Sequence, residues 1–427
     1  MTKKLLTILM LAAAFCLRAE MTLESSPGGE IVKAGQTIEF KGAGVPEGSK
    51  YELKAGGRKK EGGLYSGPVA YTPEDPEWVY FQITAPKADG EEKPQRREMG
   101  VVASPEKIRP VASAPADLDK FWAGVKKEVE KFPAKKPSLV KVRDYPASEG
   151  KHAVELYKFE IKVDGGKYGS ADGVTADGYL AIPVDKKGKM PAVVTFYGAG
   201  SYGADLRDAL NYAQDGAIGI SMNPHAIPPD LQGEDRKRFI DEKIHAPENN
   251  YRMRGIRETP DKVYFVGMFK RCYQVLRMAM AMKEWDGKNL AVRGFSQGGA
   301  QTLVSAYLCP KVTVAAPLCP AMCDSSSELA GRRAGWPDWV RQTGTETEAA
   351  NAPYFDPALM APKIKAKLYL GMGMVDNTCT PTALYAMYNS YAGPKRMLRM
   401  QGVGHGWNKE WSETEREFIL KNVGLAK

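Results

Sequence analysis

Between residues 21 and 108 the apolar positions come in short runs cut by Gly, Pro and Asp, with no sustained helical period. Thr37-Ile38-Glu39-Phe40 alternates, and Trp78-Val79-Tyr80-Phe81-Gln82-Ile83 is nearly continuous. Both patterns predict strands. Their spacing suits a small antiparallel sandwich, with a charged loop over residues 87–97 joining two of its strands. No aromatic platform marks this part as a sugar binder, so a structural appendage is the simpler expectation for it.

The pattern changes over residues 102–115. After Asp117 a helical period runs through Phe121, Trp122, Val125 and Val129. From there apolar strand-like runs at 192–196, 290–292, 313–316 and 367–370 alternate with helical stretches, the longest over 263–285. Such alternation predicts a mainly parallel sheet with helices on both faces. Met268, Met278, Met280 and Met282 in the long helix read as core filler.

The first residues differ in kind: Lys3 and Lys4 precede an apolar run to Leu17, and Ala19 offers a small residue for cleavage. Residues 1–19 therefore read as a secretory signal, with cleavage near Ala19 preferred over a lipid anchor at Cys16. The implied location is periplasmic or extracellular. The run is too short to span a bilayer comfortably. Loss of Lys3, Lys4 and Arg18 lowers the formal charge from +9 to +6. That surplus is dispersed and does not form the basic stripe of a nucleic-acid binder. With 43% hydrophobic and 26% charged residues, the composition is globular. Five cysteines remain after cleavage. Cys319 and Cys323 are close enough in sequence for a disulfide, but their apolar neighbours favour buried thiols. No metal-ligand spacing accompanies them, and the reading requires no metal or cofactor.

The chemistry lies in Leu290-Ala291-Val292-Arg293-Gly294-Phe295-Ser296-Gln297-Gly298-Gly299. A strand runs into Gly-x-Ser-x-Gly and then into a helix, the setting in which Ser296 is a nucleophile on a strained turn. A serine hydroxyl needs a base, and the chain has four histidines. His405, in a glycine-rich turn after the strand-like run 397–400, is the first choice, and His225, after the run 218–222, the second. The acid should lie between serine and histidine in the chain. Asp376, at the end of the strand starting at Lys367, fits this position better than Asp356 or Asp324. The backbone amide of Gln297 and one from Tyr197-Gly198-Ala199-Gly200 are expected to form the oxyanion hole.

Taken with Tyr354-Phe355-Asp356-Pro357, Asp376-Asn377-Thr378-Cys379-Thr380-Pro381, Tyr391-Ala392-Gly393-Pro394-Lys395 and Gly404-His405, the Ser-Gln-Gly-Gly segment resembles acetyl xylan esterases and cephalosporin C deacetylases. The resemblance runs from about Asp117 to the C-terminus. It implies an α/β-hydrolase fold in residues 109–427, and the strand pattern ahead of it is assigned to an immunoglobulin-like sandwich in residues 20–108. It also implies deacetylation of acetylated poly- or oligosaccharides through Ser296, Asp376 and His405, with the Ala199 amide where the family has an oxyanion-hole tyrosine. The family's ring-shaped oligomers make an oligomer one expectation, although the N-terminal module is an addition. This chain departs from the family at Tyr197-Gly198-Ala199, Asn223-Pro224-His225 and His405-Gly406, all around the pocket. The competing readings are a serine peptidase of the same fold and an inactive carbohydrate-binding protein.

Overall fold

The structure is a computed structural model describing residues 20–87, 92–163, 175–200, 203–225, 227, 231–246, 250–341 and 344–425. Residues 1–19, including Cys16, which the sequence reads as a secretory signal, lie outside them. Among the described residues, the N-terminal part has strands β1 (Thr22–Ser26), β2 (Ile31–Val32), β3 (Ile38–Ala43), β4 (Lys50–Ala55), β5 (Arg58–Leu64), β6 (Val69–Tyr71), β7 (Trp78–Thr84) and β8 (Arg96–Ala103). They form a sheet in the order β1-β3-β6 and a second in the order β2-β8-β7-β4-β5. The pairings are antiparallel except β2 with β8. The Phe40 and Phe81 rings stack at 4.6 Å between the sheets, amid Leu53, Val79, Ile83 and Val101.

The nearly continuous apolar run of β7 now has its reason. Successive side chains of a strand face opposite ways. Val79, Phe81 and Ile83 fill the sandwich core, whereas Trp78 and Tyr80 join the core of the larger part that follows.

That part opens with α1 (Leu118–Glu130), three strands β9 (Ser138–Tyr145), β10 (Val154–Lys162) and β11 (Thr175–Pro183), then β12 (Met190–Phe196), α2 (Leu206–Gln214) and β13 (Ile218–Met222). It continues with α3 (Gly233–Phe239), α4 (Tyr264–Ala281), β14 (Trp285–Phe295), α5 (Gln297–Leu308) and β15 (Val314–Leu318). Two short helices, α6 (Glu346–Asn351) and α7 (Pro357–Met360), precede β16 (Lys367–Gly373), α8 (Pro381–Ser390), β17 (Lys395–Met400) and α9 (Lys409–Asn422). The sheet order is β17-β16-β15-β14-β12-β13-β11-β10-β9. Strands β12 to β17 run parallel, and β9, β10 and β11 extend them antiparallel.

Val193, Ala291 and Val314 point to the face covered by α2 and α9, while Val194, Val292 and Ala315 point to the face packed by α4 and α5. Burial on both faces makes these strands read as unbroken apolar runs. The long helix is shorter than its sequence pattern suggested. It ends at Ala281, and Trp285 already pairs with Met190 in the sheet. Met268 and Met278 are buried core, while Met280 and Met282 are only partly covered.

Candidate active site

Strand β14 delivers its chain to a sharp turn at Ser296 (φ 59°, ψ −118°), a positive-φ conformation that a serine adopts only under constraint. The flanking glycines make the turn sterically feasible. A Cβ on Gly294 would sit 2.4 Å from the Gly298 carbonyl oxygen, and one on Gly298 would sit 2.5 Å from that of Phe196. The Ser296 N–H donates to the Leu318 carbonyl at 2.9 Å, and its own carbonyl accepts from Ala300 and Ala321, pinning the turn on both sides.

Asp376 lies in the turn between β16 and α8, and His405 in the turn between β17 and α9, both at the carboxyl ends of their strands. They converge on the serine: His405 Nδ1 is 2.8 Å from Asp376 Oδ2, and His405 Nε2 is 2.8 Å from Ser296 Oγ. Asp376 is fully buried, and its Oδ1 accepts the Thr378 and Cys379 N–H groups at 2.7 and 2.9 Å. A carboxylate so held presents its other oxygen to the imidazole and fixes Nδ1 as the protonated nitrogen. Nε2 is then free to accept the serine proton.

The other candidates lie elsewhere. His225 is fully buried and bonded through Nδ1 to the Tyr264 hydroxyl. Burial, reinforced by the nearby Arg271 charge, pushes it down to about 3, so it stays neutral. Asp356 is buried; it caps α7 and accepts the N–H groups of Asp324 and Ser325. Asp324 pairs with Arg332.

Gln297 opens α5, so its N–H is one of the donors left over at a helix start. Its side chain accepts from the Tyr251 hydroxyl at 2.9 Å and reaches the Gly198 carbonyl at 3.4 Å. A Cβ on Gly198 would lie 3.7 Å from Ser296 Cβ, so the loop after β12 runs directly past Ser296, with Ala199 next in chain. Tyr197 anchors that loop: its hydroxyl donates to Asp208 at 2.6 Å and accepts the Asp205 N–H. Asp208 and Glu415 hold Arg293, joining α2, β14 and α9 beneath the site.

Cys319 Sγ lies within 4.8 Å of ligand atoms of Asp376 and His405. Both imidazole nitrogens are already engaged, and burial together with the Asp376 charge pushes the thiol well up. The trio is therefore a neutral thiol packed behind the relay, and no metal is assigned to it. All five cysteines in the described residues are free and buried.

A cavity of about 340 Å³ opens beside the elbow, bounded among others by Gly198, Arg293, Phe295 and Trp407. Trp407 is 59% exposed, and its ring meets Phe295, which in turn packs on His405. Sequence reasoning missed Trp407. The signal was an aromatic residue two positions after the candidate base. A hollow of similar size lies near Asp177 and Asn223, and neither hollow is lined by Ser296, Asp376 or His405 themselves.

A family profile described as "Acetyl xylan esterase (AXE1)" matches residues 104–422, leaving β1 to β8 outside it. The chain is 31% identical over 324 residues to acetyl esterase Axe7A of Xylanibacter ruminicola, covering 75% of this chain and 70% of that protein. Among solved structures, acetyl xylan esterase 1 from Thermoanaerobacterium sp. JW/SL YS485 superposes with a TM-score of 0.62 at 21% identity, over 76% of this chain and 98% of that one. Acetyl xylan esterase from Paenibacillus sp. R4 gives 0.60 at 23% identity, over 74% and 98%. At these identities the two structures speak for the fold alone.

Proposed function

The chain belongs to the acetyl xylan esterase family and is a serine esterase of α/β-hydrolase fold, and from that premise we propose that Ser296, Asp376 and His405 are its catalytic triad. The observation that carries this reading is the unbroken relay from Asp376 through His405 to Ser296, with both links at 2.8 Å.

His405 Nε2 takes the hydroxyl proton as Ser296 Oγ bonds to the acetyl carbonyl carbon, and the carbonyl π pair moves onto oxygen. The Gln297 and Ala199 amides receive that oxyanion. The intermediate collapses when the bond to the sugar oxygen breaks and His405 returns its proton there, freeing the hydroxyl of the glycan. Water then repeats the sequence on the acetyl-serine and releases acetate.

The substrate proposed is an acetylated poly- or oligosaccharide. Two features of the cavity beside the elbow support it: the exposed Trp407 ring offers an apolar face to a sugar's C–H surface, and Asp208, Arg293 and Glu415 in its lining are paired with one another. Among the described residues no helix is long and apolar enough to cross a membrane. Export through the leader in residues 1–19 belongs to the proposal.

The test offers purified protein and Ser296→Ala three substrates: 4-nitrophenyl acetate, acetylated xylan and a chromogenic peptide. Wild type should release acetate from the first two and leave the peptide intact, and the variant should turn over none of the three. Faster cleavage of the peptide than of the esters would replace the reading with a peptidase.

A further inference from the structure

The N-terminal sandwich lies almost entirely outside the family match, yet its β7 and β8 rest on the two turns that carry the acid and the base. Trp78, at the start of β7, is fully buried, and its indole N–H donates to the Met374 carbonyl at 2.8 Å. Met374 is two residues before Asp376. In β8, the Gly100 N–H donates to Gln401 Oε1 at 2.9 Å, and the Gln401 amide donates back to the Gly100 carbonyl at 2.8 Å. Gln401 is four residues before His405. The fit between the strand and the acid's turn is close: a Cβ on Gly100 would fall 1.8 Å from the Met374 carbonyl oxygen.

The two turns are also stitched to each other, because Met374 N–H donates to the Met400 carbonyl and Val375 N–H to that of Val403. A second route reaches the far side of the acid's turn. The Gly56 carbonyl, between β4 and β5, accepts the Arg333 N–H at 2.7 Å. The Arg333 carbonyl accepts the Thr380 hydroxyl, and Trp336 N–H donates to the Thr378 carbonyl. The ion pair of Glu30 with Arg399 at the rim is partly exposed and adds little.

We infer that the sandwich is a positioning element of the active site, with Trp78 and Gly100 holding the Asp376 and His405 turns in register. None of its described residues forms part of the relay; it acts through Met374 and Gln401. A relay of two hydrogen bonds tolerates little displacement, and an error near 1 Å in such a site can cost about a hundredfold in rate. A structural appendage would lose stability when its contacts are cut. A positioning element also loses turnover in molecules that remain folded.

This inference rests on the proposed triad, and the experiment separates the two. Trp78→Phe keeps an aromatic ring but leaves the Met374 carbonyl without its donor, and Gln401→Ala removes both bonds to Gly100. Gln401→Glu can still accept from the Gly100 N–H, so it serves as partial rescue. Tyr65→Phe removes the hydroxyl that accepts the Gly42 N–H inside the sandwich, away from the interface, and controls for general weakening. Assays with 4-nitrophenyl acetate well below each variant's melting temperature should show kcat down about tenfold for Trp78→Phe and Gln401→Ala, with KM within about twofold. Gln401→Glu should fall between Gln401→Ala and wild type, and Tyr65→Phe should match wild type. Wild-type kcat in both interface variants, or an equal loss in Tyr65→Phe, overturns the positioning role. Retained turnover in Ser296→Ala would instead sink the triad itself.

Discussion

Replacing Asp376 with Asn tests the relay at its least forgiving point. The carboxylate uses one oxygen for two backbone N–H groups, from Thr378 and Cys379, and the other for His405. An amide has one oxygen, so the side chain must choose. With its oxygen on the two backbone donors, its NH₂ faces His405 Nδ1, which must then accept, and the proton moves to Nε2. That tautomer cannot take a proton from Ser296. With the amide flipped, the histidine keeps its working tautomer but two buried N–H groups lose their acceptor, at about 1–3 kcal/mol each. A net cost of at least about 2 kcal/mol holds the flipped form to about one molecule in thirty. Residual kcat for 4-nitrophenyl acetate should therefore lie below about 3%, and a fall of about 10⁴, or 5.5 kcal/mol, is expected if the flipped form never contributes. KM should move little, and the melting transition should remain cooperative. A folded Asp376→Asn protein with more than a tenth of wild-type kcat would refute the hydrogen-bond reasoning.

Gly298→Ala places a methyl 2.5 Å from the Phe196 carbonyl oxygen, so the elbow must shift; a folded variant should be nearly inactive, by steady-state ester hydrolysis, whereas full activity would mean the turn is looser than drawn. Trp407→Ala should lower kcat/KM for an acetylated xylo-oligosaccharide about tenfold relative to its value for 4-nitrophenyl acetate, consistent with about 1–2 kcal/mol for one aromatic contact. An unchanged ratio would remove Trp407 from the glycan contact. His225 carries a proton in the unfolded chain below its usual value but in the folded chain only below about 3, so its burial costs stability as the pH falls from about 6.5 towards 3. At pH 5 the penalty is about 2 kcal/mol; His225→Phe, compared with wild type by urea unfolding at pH 7 and pH 5, should show that much less acid sensitivity, and identical slopes would contradict the assignment.

The serine and its partners were legible in the sequence because each is announced by a local conflict. Gly294 and Gly298 are needed only where backbone passes within contact distance of backbone. Asp376 follows the apolar strand β16 and His405 sits in a glycine-rich turn after β17, both at the carboxyl ends of strands, where side chains from distant segments meet. The choice of His405 over His225 needed tertiary information to be firm, since both follow strands. What separates them is that one ring is spanned by a carboxylate and a hydroxyl, while the other is sealed among Tyr251 and Tyr264. The antiparallel strands β9 to β11 were not foreseen. Most of β9 is exposed although Leu139, Val140 and Val142 lie on it, so its apolar residues do not mark a buried face.

The sandwich was readable as strands but not as a partner of the active site, and the reason is physical. Its contacts with the acid and base turns run through main-chain groups of Gly100 and Met374, through one glutamine amide and through one indole N–H. A carbonyl that accepts a hydrogen bond leaves no trace in the residue carrying it, so Met374 looks like any core methionine. Trp78 looks like one more residue of a hydrophobic strand. The clue available was that 78–81 is apolar without alternation, which means both faces are covered. One face belongs to the sandwich; the other must be buried by something else, and here it is the scaffold that carries Asp376 and His405.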